Sequence, residues 1–119
     1  MAAGRSQRAR LMDMADAIRG IRAVIAGLDF AAFEEGWVMQ RAVERGLEII
    51  SEASRHLPPE AKAAHAEIPW RRIADIGNVL RHAYQRVEPR LIWVILDEYL
   101  PALDDAVLAM LAALDEPPA

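Results

Sequence analysis

The stretch Leu11-Met12-Asp13-Met14-Ala15-Asp16-Ala17-Ile18-Arg19-Gly20-Ile21 decides the fold class. Its apolar residues Leu11, Met14, Ala15, Ile18 and Ile21, continued by Ile25, recur at spacings of three and four. A helix turns once in about 3.6 residues, so this spacing draws one apolar stripe along residues 6–27. A half-buried strand would instead alternate apolar and polar residues, and no segment of the chain does so. Gly27-Leu28-Asp29 ends the stripe, and Asp29 is suited to cap the next helix.

The same reading extends to both ends. A second long helix is expected from about Phe30 to His56, with Val38, Ala42, Val43, Leu47, Ile50 and Ala53 or Ser54 on its apolar stripe. Pro58-Pro59 breaks it, and residues 60–67 form a short turn. Ile68-Pro69-Trp70 restarts the chain into a third helix over about 70–84, which stops before Val87-Glu88-Pro89. A fourth begins at Pro89 and shows Leu91, Ile92, Val94, Ile95 and Tyr99 on a broad face. Pro101 is expected to kink or split it before helix resumes through Leu103, Val107, Met110, Leu111 and Leu114. The reading is all-α: one domain over residues 1–119, an up-and-down bundle of four to five helices, frayed over about five N-terminal and four C-terminal residues. Trp70 and Trp93 are expected as core pillars, a subunit seam being the other use for such rings.

Composition narrows the setting. The 119 residues are 54% hydrophobic, ample for a packed core. With no cysteine, disulfides and thiolate metal sites are excluded, and a reducing cytoplasm is the expected home. No apolar run approaches the roughly 18 residues that cross a bilayer, and Met1-Ala2-Ala3-Gly4-Arg5 lacks a secretory core. The net charge of −4 is unevenly spread. Residues 70–90 set Arg71, Arg72, Arg81, Arg86 and Arg90 against Asp75 and Glu88, while residues 91–119 hold six acids and no base. Guanidinium forks match phosphate oxygens, so Arg71, Arg72 and Arg86 are candidate phosphate-binding residues; the plainer alternative is a set of solvated helix faces.

Chemistry concentrates in Gly77-Asn78-Val79-Leu80-Arg81-His82-Ala83-Tyr84. An amide, a guanidinium, an imidazole and a phenol fall within about two helical turns, with Asn78 and His82 four apart on one face. His56 and His65 flank the double proline and read as solvent-facing loop residues without a third ligand, so no metal site is expected. Glu44, Glu48 and Glu52 form a row on the second helix, suited to pairing with Arg41 and Arg45, or to holding Arg71 or Arg81 in place.

These residues resemble a known family. Leu11-Met12-Asp13-Met14, Phe33, Gln40-Arg41-Ala42-Val43-Glu44, Leu47 through Ala53, Ile68-Pro69-Trp70-Arg71, Asn78 through Tyr84, Trp93 and Leu100-Pro101-Ala102-Leu103 are similar in order and spacing to the HepT-like branch of the HEPN domains, over residues 10–112. The resemblance implies a helical homodimer, the toxin of a bacterial toxin–antitoxin pair, that cuts RNA without a metal or other cofactor. Its implied partner is a small nucleotidyltransferase antitoxin, which silences the nuclease by transferring AMP to a tyrosine. Asn78 matches the polar position of the family signature, His82 the histidine and Tyr84 the modified tyrosine. The signature arginine falls where this chain has Gly77. Either Arg81 or Arg72 supplies the guanidinium, or the chain is a weakened member that retains only a binding role. In the first case the catalytic set is His82, Asn78 and Arg81, because an imidazole that ordinarily titrates near pH 6.5 suits proton transfer and a fixed guanidinium suits phosphorane charge.

Overall fold

The computed structural model describes residues 6–82 and 88–115. Six helices follow one another among them: α1 (Gln7–Ile25), α2 (Phe30–Glu35), α3 (Trp37–Arg55), α4 (Pro59–Ala63), α5 (Trp70–Arg81) and α6 (Pro89–Asp115). Four are long and two are single short pieces, and no strand occurs among the described residues. The all-α expectation is met. Both expected frayed ends lie outside the described residues, as do Tyr84 and Arg86.

Local chemistry explains most boundaries. Ser6 caps α1 by accepting the Ala9 N–H at 3.0 Å, and Asp29 caps α2 through the Ala32 N–H at 2.9 Å. After α1, Gly27 takes φ +75°, a left-handed turn that glycine enters without a Cβ clash. The expected long helix over 30–56 is in fact two helices. It breaks at Gly36, where a helix gains least, and the buried Gln40 donates from Nε2 to Phe33 O and Glu34 O, both at 2.8 Å. A side chain four residues into α3 thus satisfies the end of α2. In the other direction, α6 runs unsplit through Pro101.

Neighbouring long helices are antiparallel, as contacts at their two ends show. Arg8 meets Asp115 and Arg22 meets Asp104, each at 2.6 Å, so α1 and α6 run oppositely. Ser51 contacts Gly77 and Arg55 contacts Ala74, which sets α5 against α3. The buried apolar side chains form one cluster, including Leu11, Met14, Ile18, Phe33, Val43, Ile50, Ile73, Ile92 and Val107. Trp93 packs partly buried against it, 5.1 Å from Phe33 and 6.0 Å from Phe30 between ring centres. Trp70 does likewise and donates its indole N–H to Lys62 O and His65 O, tying the α4 region to the start of α5. The expected α3 stripe is corrected at two places: Val38 is 72% exposed and Ala42 also faces out. Trp37 is exposed too, with the Arg41 guanidinium 5.4 Å from its ring.

Candidate functional site

The last two turns of α5 carry the candidate site. Asn78 is half-buried, whereas Arg81 and His82 are exposed. His82 caps the helix, its backbone N–H donating to Asn78 O at 3.0 Å, so the ring stands at the mouth of α5 rather than in the interior. Arg81 donates from Nη2 to Asn78 Oδ1, and Asn78 Nδ2 donates to Asp75 Oδ1 at 3.2 Å. Three side chains at intervals of three residues are therefore linked along one ridge. The Asn78 carboxamide is engaged with Arg81 and Asp75, and only the Asn78 main-chain carbonyl meets His82, at the backbone N–H.

Gly77 is buried where α5 meets α3. Its N–H donates to Ser51 Oγ at 3.0 Å, and the same hydroxyl donates to Ala74 O at 2.8 Å. A β-carbon added at 77 would lie 2.9 Å from Ser51 Oγ and 3.2 Å from Arg81 Nη1. Position 77 is thus filled from two sides, and the Arg81 guanidinium folds back over the residue that lacks one.

A groove of about 380 Å³ opens beside this ridge, lined by Arg55, Arg71, Arg72, Ala74, Asp75 and Asn78. The Tyr99 hydroxyl beside Arg72 raises its pKa above the ordinary guanidinium value. Arg55 comes from α3 and was not among the candidates read from sequence. Its Nε and Nη2 both donate to Ala74 O, at 3.2 and 2.8 Å. Its position four residues after Ser51 on one helix face was the available signal.

Of the two expected uses of the α3 carboxylates, the structure shows local pairing and not the holding of Arg71 or Arg81. Glu44 pairs with Arg41 at 2.8 Å, Glu48 with Arg45 at 3.4 Å and Glu52 with His56 at 3.0 Å, so none is spent on Arg71 or Arg81. The hydrogen bond from His56 lowers the Glu52 pKa, assisted by the charges of His56, Arg55 and Arg10. His65 is half-buried and 3.5 Å from Glu67. Among the described residues no three His, Asp or Glu side chains converge as metal ligands.

An exposed histidine thus follows a folded-back arginine at the end of a helix in an antiparallel bundle, which defines the class as a small all-helical protein. The chain belongs to the HepT-like ribonuclease family, whose model matches residues 14–110. It is 40% identical over 99 residues to a probable ribonuclease HepT of Thermococcus cleftensis, covering 83% of this chain and 90% of that one. It is 37% identical over 87 residues to a candidate RNase of Caldanaerobacter subterraneus subsp. tengcongensis, covering 73% and 78% respectively. No solved structure matches the chain.

Proposed function

We propose that this protein is an endoribonuclease of the HepT-like kind, with residues 1–119 acting as one domain and no metal in the reaction. The observation that carries the reading is the Arg81 guanidinium lying over Gly77, held by Asn78 and adjacent in sequence to the exposed His82. In this reading Arg81 serves as the cation that Gly77 cannot provide.

RNA cleavage by the neighbouring 2′-OH needs one proton removed and one delivered. The neutral imidazole of His82 takes the 2′-OH proton as that oxygen attacks phosphorus. Arg81 stabilises the charge gathering on the phosphoryl oxygens. The P–O5′ bond then breaks, and a protonated imidazole supplies the leaving oxygen with its proton, leaving a cyclic phosphate. Asn78 is a positioning residue acting on Arg81. The need for a 2′-OH confines the substrate to RNA.

One chain provides one such imidazole, so a two-fold dimer that brings two copies of His82 into one cleft completes the set. Val79, Leu91 and Val94 support that arrangement, since they leave apolar surface exposed on α5 and α6 near this end. In the same reading the protein is the cytoplasmic toxin of a toxin–antitoxin pair, and Tyr84 accepts AMP from a nucleotidyltransferase partner. Arg71, Arg72 and Arg86 serve RNA phosphates. The test is cleavage of single-stranded RNA in EDTA by unmodified protein, abolished in His82→Ala. Retained cutting in that variant removes His82 from the mechanism.

Gly77 sustains one other reading, a binding module that docks the nucleotidyltransferase without cutting RNA. Growth arrest on expression of this chain alone separates the two. Mass gain of one AMP on co-expression with the partner, blocked by Tyr84→Phe, checks the modification.

A further inference from the structure

The geometry points to a second phosphate site on the RNA path, built by Arg55 of α3 together with Arg71 and Arg72 of α5, which holds the backbone of the strand beside the scissile bond. The inference rests on the ribonuclease reading for its ligand and assigns Arg55 a role that the family signature does not touch.

Three observations support it. First, the three guanidiniums are not ion-paired among the described residues. Arg8, Arg19, Arg22, Arg41 and Arg45 each meet a carboxylate, whereas Arg55, Arg71 and Arg72 form no ion pair among the described residues. Among the described residues Asp75 is the sole carboxylate lining the groove, and it accepts from Asn78, so three guanidiniums share the groove with one acid.

Second, Arg55 is oriented rather than loose. Ala74 O takes its Nε and one Nη2 hydrogen, which leaves Nη1 and the remaining Nη2 hydrogen, on a side chain that lines the groove, as a fork suited to phosphate. The half of the guanidinium that would otherwise cost rotamer freedom is already fixed.

Third, the groove is in register with the reaction centre. Arg71, Asp75, Asn78 and His82 follow at spacings of four, three and four, which puts them along one face of α5. The stretch from Arg71 to His82 spans roughly 16 Å at 1.5 Å per residue. A strand with its scissile phosphate at Arg81 and His82 therefore runs along α5 with a neighbouring phosphate in the Arg55 groove.

The test measures binding of a labelled single-stranded RNA to the full-length His82→Ala protein across a salt series, with Arg55→Ala, Arg55→Lys and a remote control, Arg19→Ala, added to it. Arg55→Ala is expected to weaken binding about 10-fold, as for a lost charged hydrogen bond, and to reduce the slope of log affinity against log salt by about 0.7. Arg55→Lys should regain the slope but only part of the affinity, because lysine cannot hold the fork. Arg19→Ala should change neither. Unchanged affinity and slope in Arg55→Ala overturn the site. Cleavage by the otherwise unaltered protein separates the two readings. Cutting whose KM ignores Arg55→Ala removes the groove and keeps the nuclease. Arg55-dependent binding without cutting keeps the groove and removes the nuclease.

Discussion

Ser51 Oγ and the Gly77 amide nitrogen stand 3.0 Å apart, and this bond joins α3 to α5 at the place where the family signature would carry an arginine. The hydroxyl accepts from Gly77 and donates to Ala74 O, so both its hydrogen-bonding roles are used and it cannot simply rotate away. Gly77 is therefore a packing requirement of this chain.

The pairing predicts a change of sign. Gly77→Ala alone gains about 1 kcal/mol of helix propensity, but it drives a β-carbon to 2.9 Å from Ser51 Oγ, and such overpacking costs about 1–3 kcal/mol. The net effect is destabilising. In a Ser51→Ala background the residue-51 Cβ lies at 3.5 Å, an ordinary contact, and the Arg81 Nη1 at 3.2 Å is the end of a flexible exposed side chain that can shift, so the same Gly77→Ala change becomes stabilising. Urea denaturation of the four proteins in a double-mutant cycle reads this directly. Additive costs would show that the contact does not govern position 77. Restoring arginine by Gly77→Arg is expected to cost more than alanine and not to raise activity.

Arg81 and Asn78 should separate in kinetics. Arg81→Ala is expected to lower kcat by about 10²–10³-fold, the range for loss of a fixed group that stabilises transition-state charge. Arg81→Lys should not rescue it, because a point charge replaces a planar fork. Asn78→Ala frees the guanidinium without removing it, so its loss should be smaller, about 10-fold. Single-turnover RNA cleavage distinguishes these ranks, and an Asn78→Ala defect as large as that of Arg81→Ala would place the amide on the substrate itself.

Gln40 is expected to be a stability residue with no part in chemistry. Its buried amide closes the end of α2 on two carbonyls. Gln40→Ala leaves both without that donor and should cost about 1–3 kcal/mol, seen as a lower melting temperature. Gln40→Glu should be worse, since an ionised carboxylate brings no donor and adds repulsion.

Glu52 sets a modest acid dependence. His56 and the nearby arginines hold its pKa below the ordinary carboxylate value, so the folded state binds its proton less readily than the unfolded chain. The contribution is present above the unfolded pKa and is lost as pH falls through the lowered folded one. Both side chains of the pair are about half exposed, so screening limits the effect to a few tenths of a kcal/mol. Glu52→Gln should therefore lower stability slightly at neutral pH and not at pH 2, as measured by urea midpoints.

Sequence alone was enough for the helical class, for the caps at Asp29 and the stops at Gly27 and Pro58-Pro59, and for the candidate cluster Asn78, Arg81 and His82. All of these rest on local information: periodicity, the missing N–H of proline, the short side chains that cap helices, and signature residues a few positions apart. Periodicity says which face of a helix is apolar but not how far a neighbour covers it. Val38 and Ala42 fit the α3 stripe and still face solvent, and a continuous pattern hid the break that Gln40 makes good at Gly36. Tertiary structure alone brought Ser51 against Gly77 across 26 residues of chain and turned Arg55 toward Ala74. Those outcomes depend on the approach of two helices, and no segment read by itself contains that distance.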